Sequence, residues 1–265
     1  MRLFWPLWLL TAAAPAAPLS SQQIPLPVGA SPRELGLAAL SLGRNSGNSP
    51  GEIALVRGQL LEISRRVTGA AAASVNAVRG IEAMVRATWR RLPLDSATVA
   101  RLTELARESR AQPPVRRHAL GALLTAQAVD SATVMAALAS PDEQLRRLAV
   151  TGLPRLSAPA RLSALPRAIT DSAPMVRLEA LRVLAQSDGI GGCGRLATAA
   201  ADPSLTVALV ALDLLGQCPG DSSAALVLTS AATPLPGESW HRSAHALVSL
   251  ARVHPESARA LLPAS

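Results

Sequence analysis

No lysine occurs in the 265 residues; all 26 basic side chains are arginine. Tyrosine is absent, and there is one phenylalanine. Lysine-free chemistry with so much Ala, Arg, Gly and Pro carries the mark of GC-rich codons, so the pI near 11.4 is weak evidence for a polyanion partner. The shortage of aromatics argues against a β-sandwich, whose packing draws on aromatic and β-branched residues. It also argues against nucleic acid, because bases stack on aromatic platforms. Past residue 23 only Trp89 and Trp240 could serve as platforms. Cysteine is nearly absent, with Cys193 and Cys218 alone, and histidine is limited to four residues.

What is present is mostly Ala, Leu and Val, within a hydrophobic share of 49%. Such small side chains suit close helix–helix packing. The charge is uneven: residues 31–117 hold 14 Arg against 7 acids, and residues 118–265 hold 11 against 11. A basic N-terminal half fits an acidic partner or simply a solvated helical face.

The chain opens "MRLFWPLWLLTAAAPAAPLSSQQ". Arg2 followed by the apolar run Leu3 to Ala14 has the form of a signal peptide and is short for a membrane span. Ala14-Pro15-Ala16 fits small-x-small cleavage, with residues 1–16 removed and Ala17 as the new N-terminus. No cysteine follows that could carry a lipid anchor. The expectation is an exported protein, periplasmic or secreted, touching the membrane only through the leader if it is not cleaved. Residues 17–50 are rich in Pro, Gly and Ser, and "SPRELGLAALSL" (31–42) carries the Ser cap and first-turn Pro of a short helix.

A repeat fills most of the remainder. "QPPVRRHALGALLTAQ" (112–127), "PDEQLRRLAVTGLPRL" (141–156), "DSAPMVRLEALRVLAQ" (171–186), "DPSLTVALVALDLLGQ" (202–217) and "PGESWHRSAHALVSLA" (236–251) align on a small position. That position is Ala119, Ala149, Ala180, Ala211 and Ala244, at steps of 30, 31, 31 and 33. Four residues on stand Leu123, Leu153, Leu184, Leu215 and Val248, and four before stand Val115, Leu145, Val176, Val207 and Trp240. A shorter apolar helix precedes each copy, across a turn rich in Asp and Pro, with the Asp or a Ser expected to cap the second helix. Neither helix can bury its stripe alone, so the units must stack.

On the pattern D/P-x-x-V-R-x-x-A-x-x-x-L these units resemble HEAT repeats. The likeness is to the short bacterial kind of about 31 residues, also described as HEAT-like repeats of phycobiliprotein lyases. The match is best at 131–157 and 161–188 and weakens at 225–251. The resemblance implies that the Arg after the Val pairs with the turn Asp of the next repeat, joining Arg146 to Asp171 and Arg177 to Asp202. Ala208 and His241 replace that Arg later. If exposed, such pairs are worth about 0.2–1 kcal/mol each.

The fold expectation is all-α: a right-handed α-solenoid of about five HEAT-like hairpins over 95–256, second helices lining the concave face. Residues 51–94 form a helical N-terminal cap or degenerate repeat, closed at Gly69, and 257–265 a tail. Cys193 at the start of one first helix and Cys218 at the end of its antiparallel partner fall at one end of a hairpin. That predicts a disulfide, the alternative being two buried thiols.

No motif carries an obvious chemistry. His241 and His245 share a helix face, but Arg242 stands where a zinc protease helix has its Glu, so no metal is expected. "GIGGCG" (189–194) follows no strand and reads as an inter-repeat linker. No cofactor is expected. Arg116, Arg117, Arg146, Arg147 and Arg177 open the second helices and predict a basic ridge, unless they bridge neighbouring repeats instead. The functional expectation is a non-catalytic scaffold of the cell envelope that binds a protein or peptide. The alternatives are an accessory module of an exported enzyme such as a peptidyl-prolyl isomerase, or a lyase-like enzyme.

Overall fold

The computed structural model describes residues 29–186, 192–233 and 240–262. The leader and residues 189–191 of the glycine-rich 189–194 segment lie outside the described residues. Fourteen α-helices and no strand occur among the described residues. Five hairpins fall where the repeat predicts them. They are α4/α5 (Ser96–Arg107, Pro113–Thr125), α6/α7 (Ser131–Leu138, Glu143–Gly152), α8/α9 (Ala158–Ile169, Pro174–Ala185), α10/α11 (Gly192–Ala199, Leu205–Leu215) and α12/α13 (Ser222–Ala232, Trp240–Val253). Before them come α1 (Pro32–Arg44), α2 (Pro50–Arg66) and α3 (Ala71–Thr88), and after them α14 (Pro255–Ala260).

The second helices stack in order, α5 on α7, α7 on α9, α9 on α11 and α11 on α13. The first helices form the other layer, with α4 on α6, α6 on α8 and α10 on α12. Between the layers runs one hydrophobic core, in which Ala119, Ala149, Ala180 and Ala211 are all completely buried. A small side chain there lets the helices approach, and the leucines around it fill the space between. The molecule is an all-α solenoid.

The N-terminal region continues the stack. α3 lies in the second-helix layer against α5, and α1 packs on α3 beyond it. Both α1 and α2 begin with capping boxes, Ser31 with Glu34 and Ser49 with Glu52. Gly69 closes the α2–α3 turn with φ +86, as its position suggests. The α1–α3 contact lacks the repeat's Ala and Leu spacing because it is made differently, through glycine. A Cβ on Gly43 would lie 2.7 Å from the Gly80 Cα, and one on Gly80 2.7 Å from the Ala39 carbonyl carbon.

Two expectations need correction. The turn aspartates were expected to cap the second helices, but only Asp142 does so, accepting from the Leu145 N–H at 2.7 Å. The capping aspartates serve first helices instead: Asp95 on α4, Asp130 on α6 and Asp221 on α12. Asp171 and Asp202 stand outside the helices they precede, each accepting the N–H two residues on. That leaves their carboxylates free to face an arginine.

The register of the last copy is also shifted by two residues. Ala246 and Leu250 are fully buried, whereas Trp240 is 70% and Val248 53% exposed. An indole is larger than the space that Val or Leu fills at that site in the other copies. With the shift, Ser249 packs on Gly216 and His245 reaches Asp213 at 2.7 Å.

Candidate binding surface

The five ridge arginines divide into two groups. Arg146 makes two hydrogen bonds to Asp171, Nε and Nη2 each at 2.8 Å, and Arg177 makes the same pair to Asp202 at 2.7 Å. Each also donates Nη1 to backbone carbonyls of its own turn. These are the inter-repeat pairs implied by the HEAT resemblance. Their side chains are only 8–13% exposed, so they are not the weak surface pairs expected. A bidentate guanidinium–carboxylate contact screened from water is stronger than an exposed one.

Arg116 is buried and plays the same part with a different acceptor, donating to the Ala106 carbonyl and the Ser140 hydroxyl. Ser140 stands nine residues before Ala149, as Asp171 and Asp202 stand nine before Ala180 and Ala211. Thus Arg116, Arg146 and Arg177 are clasps between repeats. Arg117 lies 3.8 Å from Asp142, and Arg147 is half-buried. The five side chains do not form a continuous ridge.

Asp171 and Asp202 are both held below the ordinary carboxylate pKa. For Asp171 burial opposes ionisation, but the Arg146 hydrogen bonds, the Ala173 N–H and the charges of Arg146 and Arg177 outweigh it. For Asp202 the Arg177 hydrogen bonds dominate. A carboxyl whose folded pKa lies below its unfolded one stabilises the fold above the unfolded value, 3.8, and loses that contribution as pH falls through the folded value. The expected result is a denaturation midpoint that is flat near neutrality and falls below about pH 4. In Asp171→Asn with Asp202→Asn that acid slope becomes shallower. Asp171→Asn alone leaves Arg146 half-satisfied and should cost about 2–3 kcal/mol in a urea titration.

The free positive charge lies elsewhere. On α3, Arg79 and Arg86 are exposed at i, i+7, and Arg90 is exposed in the turn just beyond the helix. Arg79 has no hydrogen-bond or ion-pair partner among the described residues. Arg90 lies over the Trp89 ring at 5.3 Å, and Arg86 bonds Glu82 at 2.9 Å. Glu82 also accepts from His118 Nδ1 at 2.7 Å. Burial opposes charge on Glu82, yet His118 and Arg86 hold its carboxyl below the usual range. Asp213 and His245 make the matching bridge between α11 and α13. His118 and His245 are thus helix-to-helix ties. His241 stacks on Trp240 with ring centroids 4.0 Å apart, and among the described residues no cluster of His, Cys, Asp or Glu could hold a metal. The α3 stripe was legible as Arg79, Arg86 and Arg90 at i, i+7 and i+11, a helical spacing outside the repeat's own phase.

Cys193 and Cys218 are joined by a disulfide, with Cα atoms 6.0 Å apart at one end of the α10/α11 hairpin. Among the described residues no helix is long and apolar enough to cross a membrane.

No protein-family model matches the sequence, and no curated protein matches it. Among solved structures, an engineered protein aligns over 87% of this chain and 68% of its own, with 18% identity and a TM-score of 0.46. Human deoxyhypusine hydroxylase aligns over 85% of this chain and 81% of its own, with 15% identity and a TM-score of 0.39. Likeness at this level carries no functional argument.

Proposed function

We propose that the chain is a HEAT-type scaffold, not itself catalytic, that binds an acidic protein or peptide on its layer of second helices outside the cytoplasm. The observation that carries this reading is the division of labour among the arginines. Arg116, Arg146 and Arg177 are spent on clasping repeats, while Arg79 and Arg86 on α3 and Arg90 in the turn after it stand exposed, with Arg117 on the neighbouring helix. Three exposed guanidiniums along α3 and the turn after it steer and hold a negative partner. The leader and the disulfide support an exported, oxidising location.

The test uses oxidised mature protein, from Ala17, and an envelope extract of its source. Arg79→Glu, Arg86→Glu and Arg90→Glu together should abolish capture of a partner that the unmodified protein retains at low salt and releases at high salt. Arg167→Glu, exposed on the first helix α8 and outside the layer of second helices, should leave capture intact. Substituting Arg146 or Arg177 would confound binding with the loss of a clasp. Capture that survives the triple reversal removes the α3 face from the reading.

A further inference from the structure

The groove between α3 and α5 has no Arg–Asp clasp of the kind that closes the α7–α9 and α9–α11 grooves. Nine residues before Ala119, where Asp171 and Asp202 stand in their own repeats, the α4–α5 turn carries Arg110. At that place, between α3 and the α4/α5 hairpin, the structure has a cavity of about 360 Å³. Its apolar wall is made by Val78, Leu105 and Val115, and its charged side by Arg101, Glu104, Glu108 and Arg110.

Arg101 is fixed in place, donating Nη2 to the Ser64 carbonyl at 2.9 Å and to Thr68 Oγ1 at 3.0 Å, and Nη1 to Glu104 at 2.9 Å. The Arg110 guanidinium has no partner among the described residues. Its backbone N–H goes to Glu108 at 3.0 Å, which occupies that carboxylate at the rim. The helices that start at this cavity, α3 and α5, have N-caps Ala70 and Gln112, and neither gives a side-chain hydrogen bond. In the α7–α9 and α9–α11 grooves an aspartate of the chain itself stands at this place. Here the turn places Arg110 there, beside an open cavity.

We infer that this cavity binds a carboxylate with a short apolar tail, the C-terminal residue or an acidic side chain of a bound peptide, held against Arg110 with its tail on Val78, Leu105 and Val115. A cavity of this size holds one or two residues. The inference deepens the scaffold reading and rests on it for the peptide character of the ligand. The site itself is separate from the α3 arginine face.

The experiment is a titration of ¹⁵N-labelled protein with three N-acetylated tetrapeptides. The first is Ala-Ala-Ala-Val with a free C-terminus, the second its amide, and the third Ala-Ala-Glu-Val amide. The amide resonances of Gly69, Ser74, Arg110 and Gln112 are followed. The expected result is saturable movement of these resonances with the first peptide and none with the second, and binding weakened about tenfold or more by Arg110→Glu. Ala111→Trp, which fills the cavity from the half-buried α4–α5 turn, should abolish the shifts; the unchanged remainder of each spectrum reports that the variant is folded. Movement with the third peptide assigns the carboxylate to a side chain; movement with the first alone assigns it to a C-terminus. The inference is overturned if the first and third peptides leave these resonances still at about 5 mM, or if the amide binds as well as the acid. Shifts confined to α3 around Arg79 and Arg86 would overturn the cavity while leaving the scaffold reading standing. Partner capture that is lost on reversal of the α3 arginines, with the cavity silent, would read the same way.

Discussion

Gly80→Ala should be among the most damaging single-methyl additions in this chain. The new Cβ would meet the backbone carbonyl of Ala39, which cannot rotate aside as a side-chain tip can. Either α1 moves off α3 or both helices shift against the core. Overpacking of this kind costs about 1–3 kcal/mol, and a backbone obstacle places this case at the upper end. Gly43→Ala meets the Gly80 backbone from the other side and should behave alike. The loss is expected to be local. In a stack where each unit touches only its neighbours, detaching α1 exposes α3 but leaves distant hairpins intact. Urea denaturation should show a lowered stability, and hydrogen exchange should show lost protection in α1 and α3 ahead of α7 to α11. Full protection of α1 in Gly80→Ala would mean that the helices do not cross as closely as described. Gly58 provides the control, since a Cβ there meets nothing within 4 Å. Gly58→Ala should be neutral or mildly stabilising, by up to about 1 kcal/mol.

Reduction of the Cys193–Cys218 bond should produce the second large effect. The bond spans 25 residues and ties the start of α10 to the end of α11. Releasing a loop of that length restores entropy to the unfolded chain worth about 3 kcal/mol. For a domain of this size the thermal midpoint should fall by roughly 6–12 °C. The double variant Cys193→Ser with Cys218→Ser should match the reduced protein and lose all sensitivity to reductant. α10 is short, at eight residues, and buries only Leu196, so it has little else to hold it. An unchanged midpoint on reduction would show that helix packing alone fixes this hairpin.

The solenoid was readable because four copies keep one phase. From Ala119 to Ala211 the spacing of small and large apolar residues is nearly constant, and each position lands in the core. The last copy was misaligned because Ala244 and Ala246 both offer a small residue, and Trp240 mimics the apolar position four before the first. Only packing against Gly216 and Asp213 separates the two registers. The Arg–Asp clasps were foreseen from the HEAT resemblance, but not their burial, which depends on how closely successive turns approach. The cavity could not be read from the repeat pattern, since it arises where the pattern omits something. Arg110 at an aspartate position is a visible sign of it once the neighbouring clasps are known. The α1–α3 contact was hidden for a similar reason: glycine contacts leave no hydrophobic period to detect.

The placing of the clasps gives the stack an uneven compliance. They run from Arg116 in α5 to Asp202 at the entry to α11 and stop there, since Ala208 takes the next position. On the other side they stop at the α3–α5 groove, where Arg110 replaces the acid. The middle repeats therefore resist shear between neighbours. At the N-terminal flank Arg101 ties α4 to Ser64 and Thr68 at the end of α2, and Arg57 reaches Asp95, whereas the α11–α13 joint has apolar contact and one His–carboxylate tie. Under load, or around a partner of imperfect fit, such a stack yields first at its C-terminal flank.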